Sequence, residues 1–139
     1  MRTETAIPNH TRSILLVEDD TDDQFFFTEA LGQVSNARLY DIASNGREAL
    51  DKLKAMAPLP DLIFMDINMP LMNGIECLSA IMDGARTRHI PVVILSTDTG
   101  QREFALQMGA KAFLKKPSDS GVLRSQLERM INPQQNSIL

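Results

Sequence analysis

Residues 13–17 (SILLV) form a short apolar run that stops abruptly at Glu18, Asp19 and Asp20. A strand buried on both faces reads this way, with no polar alternation. The same signature recurs at 61–66 (DLIFMD), ending in Asp66, and at 91–95 (PVVIL), ending at Ser96-Thr97-Asp98. Pro91 stands at the start of its run, where a missing N–H does least harm. Residues 38–43 alternate like a short strand before Asn45-Gly46, and 111–114 (KAFL) predict a last strand ending at Lys115-Lys116-Pro117. Between these runs the period becomes helical. From Thr21, capped by Thr21 or Asp20, the stripe Phe26, Phe27, Ala30, Leu31, Val34 predicts a helix closing near Gly32 to Ser35. Helices are predicted over 47–57, 75–86, 101–108 (short, closed by Gly109) and 119–131. Alternating strands and helices imply parallel strands joined by right-handed crossovers, with helices on both faces of one sheet.

The chain of 139 residues has the size of one domain, and 43% hydrophobic content is enough for one core. The folded unit is expected at 13–132, with loose tails at 1–12 and 133–139. A net charge of −4 offers no basic field to attract nucleic acid. The single cysteine, Cys77, excludes an internal disulfide or a cysteine-rich zinc site and fits a reducing compartment. No apolar stretch suits a signal peptide or a membrane span, so a soluble cytoplasmic protein is expected.

In an open parallel sheet, ligands sit at the carboxyl ends of the strands. Here those ends carry Glu18, Asp19 and Asp20, then Asp66, then Ser96 and Thr97, then Lys115 and Lys116. Carboxylates gathered at one point repel unless a cation neutralises them. Oxygen-only donors in an open, partly hydrated site favour Mg²⁺. One carboxylate can then attack a phosphoryl group whose charge is shared by metal, ammonium and hydroxyl, giving an aspartyl phosphate.

The series ILLVEDD, DLIFMDINMP followed by Asn73-Gly74, PVVILS and GAKAFLKKP resembles the receiver domain of two-component response regulators over about residues 13–131. Within that family it is most similar to small single-domain regulators, a group that includes partners of phytochrome-type sensors. The resemblance implies a flavodoxin-like α/β fold with five parallel strands in the order 2-1-3-4-5. It implies phosphorylation of Asp66, with Glu18, Asp19, Asp66 and the backbone of Asn68 around Mg²⁺. Ser96 is then the hydroxyl that turns toward the phosphoryl group, Phe113 the aromatic that rotates inward, and Lys116 the lysine, preceding a Pro117 bond that the family usually holds cis. Asn68 and Asp98 match positions that tune hydrolysis, and polar residues there suggest that water is admitted. Two departures stand out: Ser118 replaces the usual aromatic after Lys-Pro, and the segment from Ser96 to Phe113 is about two residues short.

Simpler readings compete at several positions. Alone, Asp66 is a solvated strand-end acid, and Asp20 reads as a helix cap. Thr97 competes with Ser96. Cys77 and the methionines read as packing, and His10 and His89 as surface residues. Three successive phenylalanines cannot all face a core at 3.6 residues per turn, so Phe25 is expected to point outward and to touch a partner. The function expected is a stand-alone receiver accepting a phosphoryl group from a sensor histidine kinase or phosphotransfer protein, acting on no separate substrate and passing its state to a downstream protein, as monomer or homodimer. The rivals are a haloacid-dehalogenase-type phosphatase, which wants Asp-x-Asp where Asp66-Ile67-Asn68 stands, and a phosphorylation-independent interaction module.

Overall fold

A computed structural model describes residues 10–133. Five strands, β1 (Arg12–Val17), β2 (Ala37–Ala43), β3 (Leu62–Met65), β4 (Val92–Ser96) and β5 (Ala112–Lys115), form one parallel sheet in the order β2-β1-β3-β4-β5. The helices are α1 (Thr21–Leu31), α2 (Gly46–Ala55), α3 (Gly74–Asp83), α4 (Arg102–Met108) and α5 (Ser120–Ile131). The fold class and strand order are those expected.

The apolar runs make two cores because alternate side chains of a strand leave opposite faces. Leu15, Val17, Ile63, Met65 and Ile94 pack under α2, α3 and α4. Ile14, Leu16, Phe64, Val93 and Leu95 pack under α1 and α5. On the second face the Phe27 and Phe64 rings meet at 5.3 Å between centroids, tilted by 57°, a favoured aromatic geometry.

Where bounds differ from the expected ones, local chemistry explains the shift. α1 starts on Asp20, whose side chain accepts from the Asp23 N–H. α3 ends at Asp83, before the expected 86, because the chain leaves the helix at Gly84 while the Thr87 hydroxyl takes the Ile81 carbonyl at 2.8 Å. The Arg86 guanidinium turns back to the Leu53 and Met56 carbonyls at the end of α2. The fourth helix is short, as expected: a 3₁₀ turn at Thr99–Gln101 leads into α4, and Gly109 closes it at φ 118°, a conformation that suits glycine. Arg12 already belongs to β1, opposite Ala37, so the expected tail at 1–12 is one residue too long at its inner end. Most of that tail and of 133–139 lies outside the described residues.

Side chains take outward carbonyls on both edge strands. On β5 the Phe113 carbonyl accepts from Arg102 at 2.8 Å and the Lys115 carbonyl from Gln126 at 3.3 Å. On β2 the Lys52 ammonium takes the Ile42 carbonyl at 2.9 Å, and the register slips between Ile14 and Leu15, bulging the strand at Tyr40.

Phe27→Ala should lower the unfolding free energy by about 3–4 kcal/mol. Urea denaturation followed by circular dichroism measures it, and a loss below about 1 kcal/mol contradicts a packed second core.

Candidate functional site

The backbone ladder runs one residue past each strand and places the polar ends together. Glu18 N–H donates to the Ala43 carbonyl at 2.9 Å, Asp66 N–H to Val17 at 3.0 Å, and Lys116 N–H to Ser96 at 3.0 Å. Because the strands are parallel, these extensions all emerge at one edge. Asp66 follows the central strand, between Glu18 and Ser96, and all three are buried.

Lys116 holds the group together. Its ammonium lies 2.8 Å from Glu18 Oε1, 2.8 Å from Asp23 Oδ2 and 3.3 Å from Asp66 Oδ2. An ammonium has three protons, and each finds a carboxylate. Lys115, its neighbour, is exposed, as strand alternation requires. Burial pulls the Lys116 pKa down, but the hydrogen bonds to Asp23 and Glu18 and the charges of Asp66 and Glu18 outweigh it and hold the ammonium above its ordinary value. Glu18 has the opposite balance. Burial pushes its carboxyl up, and the bonds from Lys116 and the Asp20 N–H offset that only in part.

Glu18, Asp19 and Asp66 each bring a carboxylate oxygen within 4.8 Å of the other two. With Asp23 this puts four carboxylates against one ammonium. The donor set is all oxygen, with excess negative charge, and it fits a hard divalent cation. The loop after Asp66 is built tightly. Ile67 N–H donates to Asp66 Oδ1 at 2.8 Å and Gly74 N–H to the Ile67 carbonyl at 2.8 Å. A Cβ at Gly74 would lie 2.1 Å from the Asp66 carbonyl oxygen, so only glycine lets α3 start this close to the central acid.

The other candidates fall on both sides of the site. Ser96 is fully buried and its Oγ accepts the Asp98 N–H at 3.1 Å, whereas Thr97 is exposed. Phe113 is buried among the residues under α2 to α4. Asp98 caps the 3₁₀ turn by accepting from Gly100 N–H at 3.2 Å, and Asn68 is exposed in the loop. Phe25 is 68% exposed. His10 is exposed and pairs with Asp61 at 3.2 Å, while Cys77 is buried, its thiol pushed up to about 12 by desolvation. One expectation is corrected. The Lys116-Pro117 bond is trans, the isomer that X-Pro bonds favour, and Ala57-Pro58 is the cis bond found among the described residues.

Asp23 escaped the sequence reading. It sits within the acidic run after the first strand, and only the Asp20 cap, which fixes the first turn of α1, shows that it reaches Lys116.

The pattern of the response regulator receiver domain matches residues 14–128. The chain belongs to that family. The receiver is 38% identical over 118 residues to the chemotaxis protein CheY of Treponema pallidum, covering 81% of this chain and 78% of that protein. The structure of a phosphorylated cyanobacterial phytochrome response regulator, RcpA, superposes with a TM-score of 0.79 at 26% identity, covering 92% of this chain and 96% of that one. A CheX-CheY-BeF3-Mg complex from Borrelia burgdorferi contains a chain similar at a TM-score of 0.76 and 29% identity, covering 86% of the receiver and 89% of its counterpart. Against the matching protein-glutamate methylesterase of Geobacillus kaustophilus, the chain spans 31% of that protein's length. No helix among the described residues is long and apolar enough to cross a membrane.

A carboxyl with a raised folded pKa binds its proton more tightly in the folded state, so stability falls as pH rises from 4.5, the ordinary Glu value, through the higher folded value. Glu18→Gln should therefore raise the metal-free melting temperature at pH 7 by about 2–4 °C. That gain should shrink as pH falls toward 4.5. Calorimetry across pH checks both, and a variant that melts lower at pH 7 refutes the assignment.

Proposed function

We propose that the chain works as a stand-alone receiver in a phosphorelay, with Asp66 accepting a phosphoryl group from the phosphohistidine of a sensor kinase or a phosphotransfer protein. The observation that carries this reading is the grip of one half-buried ammonium on Glu18, Asp23 and Asp66 beside an all-oxygen acid cluster. Glu18, Asp19, Asp66 and the Asn68 backbone would hold Mg²⁺, which supplies neutralising charge for phosphoryl oxygens when bound. The Mg²⁺ in the Borrelia CheY complex and the phosphorylated state of RcpA support the assignment.

In this mechanism an Asp66 oxygen forms the new P–O bond as the P–N bond to the donor imidazole breaks, and the imidazole leaves with a proton. Lys116 exchanges carboxylate contacts for a phosphoryl oxygen, and the Ser96 hydroxyl leaves the Asp98 N–H and donates to another. Phe113, buried in this structure, is the aromatic whose inward placement accompanies the Ser96 shift, and its carbonyl ties β5 to Arg102 of α4. Asn68 and Asp98 leave a polar approach for the water that later cleaves the acyl phosphate. Phe25, on α1 next to the acid edge, is the contact for the donor protein. The folded unit runs from Arg12 in β1 through Ile131 in α5, and the protein works in the cytoplasm as monomer or homodimer, binds neither nucleic acid nor membrane, turns over no separate substrate, and is read by a downstream protein.

Incubation with acetyl phosphate and Mg²⁺ should add about 80 Da to the intact mass, and Asp66→Asn should abolish the gain. Equal labelling of the variant overturns the acceptor assignment. Asp19→Asn should flatten the rise in melting temperature that MgCl₂ gives the native chain. Phe25→Ala should slow transfer from the kinase about tenfold, measured by loss of labelled phosphohistidine.

A further inference from the structure

An exposed face of α1 and a half-buried groove beside α2 match each other. On α1, Asp22, Phe25 and Glu29 line a shallow depression toward the start of α5 at Ser120. On α2, Arg47, Leu50 and Lys54 line a groove against α3, opposite Ala80 and Ala85. Both triplets have the spacing three then four, which puts charge, apolar side chain and charge on one stripe about two turns long. The signs are opposite. No carboxylate lines the α2 groove, although the whole chain carries a net −4. None of Asp22, Glu29, Arg47 and Lys54 has an ion-pair partner among the described residues.

We propose that a second copy of this chain occupies the α2–α3 groove with its α1 face. Phe25, 68% exposed, enters between Leu50 and the small residues Ala80 and Ala85, while Asp22 and Glu29 pair with Arg47 and Lys54. Either helix direction brings opposite charges together, because the two stripes have equal length. The faces lie on opposite sides of the sheet, α1 with α5 and α2 with α3 and α4. One copy therefore cannot satisfy its own groove, and copies add head to tail in a heterologous contact. The contact is small and charge-dominated, so it forms at high concentration and weakens with salt.

Sedimentation velocity on the full chain over a concentration series tests this. The native chain should associate with rising concentration, and raising NaCl from about 50 to about 500 mM should weaken association at least about threefold. A face variant, Asp22→Asn with Phe25→Ala and Glu29→Gln, and a groove variant, Arg47→Gln with Lys54→Gln, should each stay monomeric. Their equimolar mixture should give a dimer and nothing larger, because one intact face meets one intact groove. All altered positions lie at the surface of α1 or α2, and circular dichroism melts verify the fold of each variant. A native chain that stays monomeric up to about 1 mM, variants that associate as the native chain does, or a mixture that stays monomeric overturns the proposal. None of these readouts involves Asp66 or phosphate.

Discussion

One ammonium in a crowd of carboxylates is the constraint on which the rest of this structure depends. Lys116 touches Glu18, Asp23 and Asp66 from three different elements. Without it those acids would repel at short range in a partly desolvated pocket, where charge interactions are stronger than in water. The arrangement is stable but unbalanced. Negative charge remains in excess, and burial still leaves Glu18 reluctant to ionise. A site in this condition gains from any cation or phosphoryl oxygen that redistributes the charge, and the resting contacts of Lys116 are the ones such a ligand displaces.

The rest of the fold serves to hold those groups in register. Parallel pairing continues one residue beyond the strands, so Glu18, Asp66 and Lys116 are placed by backbone hydrogen bonds rather than by loop conformation. Two apolar layers clamp the sheet from both sides. Gly74 then closes the loop after Asp66 onto the Asp66 backbone. Precision at the site comes from rigid elements, as catalytic or binding geometry requires.

Much of this was legible in the sequence because strand ends are chemically marked. The apolar runs ending in Glu18, Asp66, Ser96 and Lys116 implied a parallel sheet with its polar ends at one edge, while the strand order came from the resemblance to receiver domains. The resemblance picked Lys116 because it precedes Pro117, strand alternation agrees by sending Lys115 to the other face, and the three-phenylalanine run showed that Phe25 must face outward. Asp23 was not legible as a site residue. Its reach depends on the rotation of α1 about the Asp20 cap, and periodicity fixes a stripe without fixing which acid beside it meets a lysine ninety-three positions away. The end of α3 was placed too late, beyond an inward stripe that stops at Met82, because the contact that turns the chain away at Gly84, the Thr87 hydroxyl on the Ile81 carbonyl, is not visible in spacing. The trans Lys116-Pro117 bond departs from a family habit that no pattern in this chain required.

The sheet edges bear on how this chain behaves when crowded. Arg102 and Gln126 take outward carbonyls of β5, and Lys52 takes one of β2 beyond the Tyr40 bulge. A sheet margin with carbonyls taken in this way is a poorer template for an incoming strand. At these carbonyls an incoming strand would have to displace an internal hydrogen bond already made, which disfavours edge-to-edge pairing of crowded chains there.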